Sequence, residues 1–234
     1  MIGVQIGEKH TYKDWNLILT STDIDFPDPK TETVDIPGAD GELDFSEVLT
    51  GDISYKNRTI SFEFEMIDRF ANWKNKISEI SNYLHGKKFK IILDEDSSFY
   101  YFGRVTINNF KSNKSTGTIT IEADVEPYKC DIYASNEDWL WDTFNFETGI
   151  INETKELQVN GELEVVIYGR RKKVVPKINC NSLENQMQVV FKGETYNLSN
   201  GTQKILNIEI CEEKNVLKFI GNGTISIEYR GGSL

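Results

Sequence analysis

Apolar and polar residues alternate with a period of two along much of this chain. In TISFEFEM (59–66), the apolar residues at every second position are Ile60, Phe62, Phe64 and Met66. Successive side chains of a strand point to opposite faces of the sheet, so this alternation predicts a strand with one buried face. TGTITIEADV (116–125) has the same pattern and predicts a second strand of this kind.

Two further segments complete the predicted sheet of the first half. FKIILD (89–94) is apolar throughout its middle and predicts a fully buried strand. FGRVTINNF (102–110) is expected to pair with GTITIEA (117–123) across the polar turn KSNKSTG (111–117).

The segment from Asp68 to Gly86 has a different period. Its apolar residues recur at intervals of three or four: Phe70, Trp73, Ile77, Ile80 and Leu84. Only a helix places residues at these intervals on one face. Asp68 is a suitable N-cap and Gly86 a suitable stop, which predicts one helix at about 68–86 that covers a face of the sheet.

The second half has short predicted strands at nearly even spacing after the aromatic stretch 135–150. They are ELEVVIYG, KVVPKINC, MQVVFKG, KILNIEI, VLKFIG and TISIEY. Strands about every ten residues, with turn signals between them, are typical of a β-sandwich or jelly roll. Asn222-Gly223 predicts a hairpin between the last two. The sequence therefore predicts a mainly β chain with one helix and two domains, 1–134 and 135–234.

Composition and charge narrow the function classes. The 234 residues carry a formal net charge of −11, which argues against general binding to nucleic acid or to anionic membranes. Three distant cysteines, Cys130, Cys180 and Cys211, suggest neither a disulfide framework nor a zinc knuckle. The opening MIGVQIGEKH lacks the pattern of a signal peptide, so we expect synthesis in a reducing cytoplasm.

GADGELDFSE (38–47) resembles the back half of a calcium-binding loop. Asp40, Gly41 and Glu47 fall at its fifth, sixth and twelfth positions. However, Ile36 and Gly38 stand where the first and third ligands belong, and the flanking segments look extended. The sequence favours a tight turn followed by a short strand or a single helical turn, and it predicts no metal.

Three groups of polar residues are candidates for a chemical role. His10 and His85 are the only histidines, and His85 is predicted to lie in the last turn of the helix, where a cation is favourable. Three adjacent carboxylates at 94–96 suit a solvated loop better than the carboxyl pair of a glycosidase. The basic run GRRKK (169–173) suits a solvated turn better than a phosphate site. The sequence predicts no catalytic residue and no cofactor.

Trp139 and Trp141 lie in WLWDTFNF (139–146), where alternate residues share a face. Exposed tryptophans serve as stacking platforms for sugars, whereas buried ones fill the space between two sheets. Packing is favoured, and glycan stacking by Trp139 and Trp141 is kept as the alternative.

Several unlinked segments in collinear order over about residues 1–130 resemble the N-terminal domain of siphophage distal tail (Dit-type) proteins of Gram-positive hosts. They are HTYKDWNLIL, PDPKTETVDIPGADGELDFSEVLTGDISYKNRTISFEFE, LHGKKFKIILDEDSSFYYFGRV and EPYK. The closing GNGTISIEYRGGSL is also similar to the last strand of such proteins.

This resemblance implies a β-barrel-like N-terminal domain that forms a hexameric ring, and a C-terminal sandwich domain. It implies a non-enzymatic hub in the virion tail, assembled in the host cytoplasm. Its implied partners are the tail tube protein, tail-tip and receptor-binding proteins and the tail-associated lysin, with no stable binding of nucleic acid and no membrane. The alternative is a carbohydrate-binding module that recognises host cell-wall glycan through the C-terminal sandwich.

Overall fold

The computed structural model describes residues 2–38, 40–48, 51–66, 73–112, 116–137, 154–183 and 186–234. The chain is mainly β, which confirms the predicted fold class. It divides into two compact units, of which the first holds residues 1–96, 100–129 and 234, and the second holds 97–99 and 130–233.

Seven strands form the main sheet of the first unit, in the order β2-β1-β7-β8-β9-β6-β3. They are β1 (Val4–Ile6), β2 (Lys9–His10), β3 (Leu17–Ile24), β6 (Arg58–Met66), β7 (Lys88–Leu93), β8 (Phe99–Ser112) and β9 (Gly117–Val125). All neighbouring strands along this path pair antiparallel, so each strand can bury one face and expose the other.

The alternating strands behave as predicted. Ile60, Phe62, Phe64 and Met66 are at most 1% exposed, and the inward residues of β9 are fully buried. β8 pairs with β9 from Gly103↔Val125 to Ser112↔Gly117, which confirms the predicted pairing. The prediction that the strand at 89–94 is fully buried is wrong. β7 is half-buried, with Ile91 in the core and Lys90 exposed, because one face of this antiparallel sheet meets water.

Two helices lie among the described residues of the first unit, α1 (Thr11–Trp15) and α2 (Trp73–Leu84). A 3₁₀ turn, η1 (Asp94–Asp96), follows β7. α2 confirms the predicted helix over the part that the structure describes, while the proposed cap Asp68 lies outside the described residues. The sequence predicted a single helix and did not predict α1, because five residues are too few to show a helical period.

A two-stranded ribbon, β4 (Thr33–Asp35) with β5 (Glu42–Asp44), forms a separate small sheet. Gly38 and Gly41 lie between the two strands with φ of 87° and 82°, which a glycine adopts without strain. The turn and short strand expected after Ile36 are therefore present as a hairpin.

Long antiparallel pairs build the second unit. Its main sheet has the order β14-β13-β16-β12-β15, with β11 also paired to β16. The strands of this unit are β10 (Lys129–Asp131), β11 (Leu157–Gly169), β12 (Lys177–Asn181), β13 (Met187–Phe191), β14 (Glu194–Leu198), β15 (Gly201–Lys204), β16 (Glu213–Glu228) and β17 (Gly232–Ser233). β10 pairs with β17.

The hairpin predicted at Asn222-Gly223 is wrong, because β16 runs without interruption through both residues. Asn222 and Gly221 pair with Asn160 and Gly161 of β11. Gly221 and Gly223 have φ of 138° and 153°, and a Cβ at Gly223 would lie 2.8 Å from Leu183 Cδ2. These glycines therefore serve a close approach of backbone within a strand, not a turn.

Candidate functional site: an exposed apolar arm

A segment that leaves the main sheet of the first unit is the strongest candidate for a functional site. Residues 25–56, called here the arm, connect β3 to β6. The base of the arm is a pair of chain segments held by backbone hydrogen bonds, with Lys30 N to Ser54 O at 2.7 Å and Lys56 N to Asp28 O at 2.8 Å. The β4–β5 hairpin extends from this base.

Local hydrogen bonds define the hairpin beyond its strands. The amide of Phe45 donates to the Glu32 carbonyl at 2.8 Å, which extends the ladder by one pair. The amide of Glu32 donates to the Ser46 hydroxyl oxygen at 2.8 Å, and the amide of Ser46 donates to Asp44 Oδ1 at 2.8 Å. The Ser46 hydroxyl also donates to Asp44. These bonds lower the pKa of the Asp44 carboxyl, with the hydroxyl as the larger cause.

The two faces of the hairpin differ in chemistry. Val34 pairs directly with Leu43, and Ile36 and Phe45 have the same parity along their strands, so these four side chains share one face. They are 38–48% exposed. The other face carries Asp35, Glu42 and Asp44. Asp28 through Val48 are exposed at every described position except Ser46, and Phe26 near the base is 87% exposed.

A hairpin of this kind has little to hold it in isolation. Two strands alone are marginally stable in water, and an apolar face without cover adds nothing to their stability. Exposed apolar residues that are clustered and rimmed by charge mark an interaction surface. The sequence contains this signal, because Val34 and Ile36, and likewise Leu43 and Phe45, are apolar residues two positions apart.

The histidines have structural partners. His10 caps α1, because its Nδ1 accepts hydrogen bonds from the amides of Tyr12 and Lys13 at 3.1 and 3.2 Å. Its Nε2 lies 3.2 Å from both carboxylate oxygens of Asp94. His85 follows α2, and its Nδ1 accepts from the amide of Ile107 at 3.1 Å. His85 therefore has a hydrogen-bond partner on β8.

The acidic and basic clusters are also engaged in local contacts. Asp94 accepts from the amide of Gly3 at 2.8 Å, and Asp96 pairs with Lys129 at 2.6 Å. In the basic run, Arg170 pairs with Asp131 at 3.1 Å, and Lys172 Nζ lies 3.3 Å from Cys130 Sγ. Within the part of the chain that the structure describes, no three potential metal-ligating side chains come together. Trp139 and Trp141 lie outside the described residues.

Neither helix among the described residues has the length and apolar character needed to cross a bilayer. Taken together, the observations describe a mainly β protein with an exposed hairpin that has one apolar face. No protein-family model matches the sequence, and a search of curated proteins finds no match.

A solved structure has the same fold. The chain is similar to SPP1 Dit (gp 19.1), whose crystal structure is described as a paradigm of the hub adsorption apparatus in phages that infect Gram-positive bacteria. The TM-score is 0.63 over 98% of this chain and 99% of that chain, at 12% sequence identity. This chain therefore has a Dit-like fold along nearly its whole length.

Proposed function

We propose that this chain is a structural, non-enzymatic hub of a phage or phage-like tail. Six copies form a ring that connects the tail tube to tail-tip, receptor-binding or lysin proteins, and the ring resides in the virion tail tip. The observation that carries this proposal is the Dit-like fold, because the likeness extends over both units and not over one domain alone. The sequence segments that resemble distal tail proteins support it independently.

The arm supplies a reason for assembly. Its apolar face is exposed in the single chain, and contact with a neighbouring subunit removes that face from water. A closed ring needs a heterologous contact, in which two different patches of the same chain meet. Acidic residues that line the central channel repel the phosphates of passing DNA, which suits a hub through which the genome leaves.

The first test is the solution mass of the purified chain by light scattering, with negative-stain images of the same fraction. A sixfold mass and rings with an open centre are expected. The double variant Val34→Ser with Leu43→Ser should lose the ring and keep the circular-dichroism spectrum of the folded chain, since both side chains are about half exposed in the single chain.

Leu206→Ser is the matched control, because Leu206 is 75% exposed but lies in the second unit. A control that disrupts the ring as strongly as the arm variant would contradict the role of the arm. A chain that is absent from purified tail particles would contradict the hub itself.

Glycan stacking by Trp139 and Trp141 is retained as a secondary proposal for the C-terminal domain. It predicts binding to cell-wall glycan that is lost when both tryptophans are replaced by alanine. Glycan binding that survives the double substitution would remove these residues from the proposal.

A further inference from the structure

The outer face of β7 and β8 is unusually cationic for this acidic chain. Lys88 and Arg104 are cross-strand partners, and Lys90 is the partner of Phe102. All four are exposed on the side of the sheet that faces away from the core, and Phe102 is 37% exposed. These four residues are called here the cationic face.

Toward β1, the neighbouring residues on this outer surface are uncharged. Gln5 and Ile92 continue the same outer surface, since Gln5 pairs with Ile92 across β1 and β7. Lys90 Nζ lies 4.3 Å from the ring centroid of Tyr100, a cation–π contact that holds the ammonium over an aromatic surface. Asp124 of β9 is the cross-strand partner of Arg104, so Lys88 and Lys90 lie on the less acidic side of the face.

The arm has the opposite charge. Residues 25–56 contain nine acidic and two basic side chains, a net charge of −7, whereas the whole chain has −11. Most of the net charge of this protein is therefore concentrated in 32 residues that also present an apolar face. A surface that combines cations with an exposed aromatic ring is complementary to such an arm in both charge and hydrophobicity.

We propose that the arm of one copy docks on the cationic face of the next copy in the ring. The inference rests on the proposed ring and names the surface that receives the arm. Within a single chain the two surfaces do not cover each other, because Asp28 to Val48 and the cationic face are both exposed. Two complementary and separate patches on one chain pair between copies, and that head-to-tail contact is the kind that closes into a ring.

Docking also has a consequence for DNA passage. Uncovered lysines and arginines on a tail hub attract phosphate by sequence-independent electrostatics. An acidic arm that covers Lys88 and Lys90 removes this attraction. The contact itself is expected to weaken with salt, because exposed charges are screened over about 10 Å at an ionic strength of 0.1 M.

The test is a charge exchange in the full-length chain. Lys88→Glu with Lys90→Glu reverses the cationic face. Glu32→Lys with Asp40→Lys reverses part of the arm, because Glu32 lies opposite Phe45 on the apolar face and Asp40 lies at the hairpin turn. Each double variant alone should raise the dissociation constant for self-association at least about tenfold, measured by sedimentation at low salt. Lys204→Glu with Lys214→Glu is the matched control in the second unit, where both lysines are exposed, and it should associate like the original chain.

An equimolar mixture of the two reversed variants gives the decisive readout. In an alternating ring every arm meets a face of opposite charge, so two chains that do not associate alone should form rings together. Failure of the mixture to associate, while both variants keep the circular-dichroism spectrum of the original chain, would overturn the proposed surface. So would a reversed face that still forms rings alone.

The remaining outcomes separate this surface from the hub proposal. If the original chain forms rings and both charge reversals leave the stability of those rings unchanged, the docking surface is refuted and the hub proposal stands. An original chain that is monomeric at every salt concentration also refutes the docking surface, and presence of the chain in tail particles then tests the hub. A third outcome would assign the cationic face to nucleic acid instead. In this outcome Lys88→Glu with Lys90→Glu still forms rings, and duplex DNA is retarded by the original chain but not by this variant.

Discussion

At the scale of single residues, His10 connects three parts of the first unit. Its ring caps α1 through Nδ1 and reaches Asp94 of η1 through Nε2, while its own amide donates to Asp14 Oδ2 at 2.7 Å. A Cβ at Gly3 would lie 2.5 Å from His10 Cε1, so the absence of a side chain just before β1 makes room for the ring. The side chain therefore contributes to the stability of the first unit through its hydrogen bonds.

Replacing His10 with alanine should lower the free energy of unfolding by about 1–2 kcal/mol, the usual effect of a lost N-cap. His10→Asn should recover part of this loss, because asparagine caps helices but does not reproduce the imidazole contact with Asp94. Urea unfolding of the three chains measures the effect. Equal losses for alanine and asparagine would show that the cap contributes little.

Asp44 predicts a pH dependence of the arm. Its pKa in the folded arm lies below the ordinary value of 3.8, because the Ser46 hydroxyl and amide donate to the carboxylate. The contact therefore stabilises the hairpin at pH values above 3.8 and loses this effect as the pH falls through the lowered pKa. The carboxyl carbon of Asp44, followed by NMR during a pH titration, should report that low pKa.

Ser46→Ala is the control for this titration. It removes the larger of the two donors, so the pKa of Asp44 should rise toward 3.8. An Asp44 that titrates identically in both chains would exclude the serine as the cause.

At the scale of elements, the pairing of β8 with β9 depends on a glycine. Gly103 is the partner of Val125, and a Cβ at Gly103 would lie 2.1 Å from the Asp124 carbonyl oxygen and 2.5 Å from Val125 Cα. Both contacts are with backbone, which cannot move aside without disturbing the sheet. This position therefore requires glycine for close approach and not for a turn.

Gly103→Ala should be strongly destabilising, by about 3 kcal/mol or more, or should prevent folding altogether. Gly117→Ala is the matched control at the other end of the same strand pair, where the nearest atom to a new Cβ is Phe110 Cε2 at 3.3 Å. A flexible side chain can move, so the control should change the free energy of unfolding by less than about 1 kcal/mol. Comparable effects at the two glycines in urea unfolding would contradict the close approach.

At the scale of the whole molecule, two separate hydrophobic cores divide the chain. Phe62 and Phe64 belong to the core of the first unit, and Phe219 belongs to that of the second, all fully buried. Each core is continuous and contains no residue of the other. Units with their own cores can unfold as separate cooperative transitions.

Phe62→Ala and Phe219→Ala should therefore act on different transitions in a calorimetric scan. Each creates a cavity that costs about 3–5 kcal/mol, which should lower the melting temperature of one unit and leave the other unchanged. A single transition that shifts equally with both substitutions would show that the two units unfold together.

Some features of the fold could be predicted from the sequence and others could not. Buried faces of β6 and β9 were predictable because alternation is a local property of a strand and burial follows it directly. The half-exposure of β7 was not predictable, because a run of apolar residues does not indicate whether one face of the strand is covered or both. Asn222-Gly223 carries the strongest local turn signal, but pairing of β16 with β11 along its length overrides it.

The candidate site shows the same division. The residues of the arm are present in the sequence, including its acidic charge and its alternating apolar positions. Their joint exposure was not predictable, because whether an alternating strand finds a core to cover it depends on the rest of the fold. The cationic face has the same origin: Lys88 and Arg104 are 16 positions apart and meet only through the β7–β8 register.

The sequence by itself determined the mainly β class, the helix predicted at about 68–86, the acidic balance and the resemblance to distal tail proteins. Each of these follows from local period, composition or the order of segments along the chain. Tertiary structure alone decided that the arm stands apart from the core, that His10 and the acidic turn are engaged with each other, and that a cationic surface lies on β7 and β8. Those properties depend on contacts between distant segments, and the physical cause is that a side chain's exposure is set by what the whole fold packs against it.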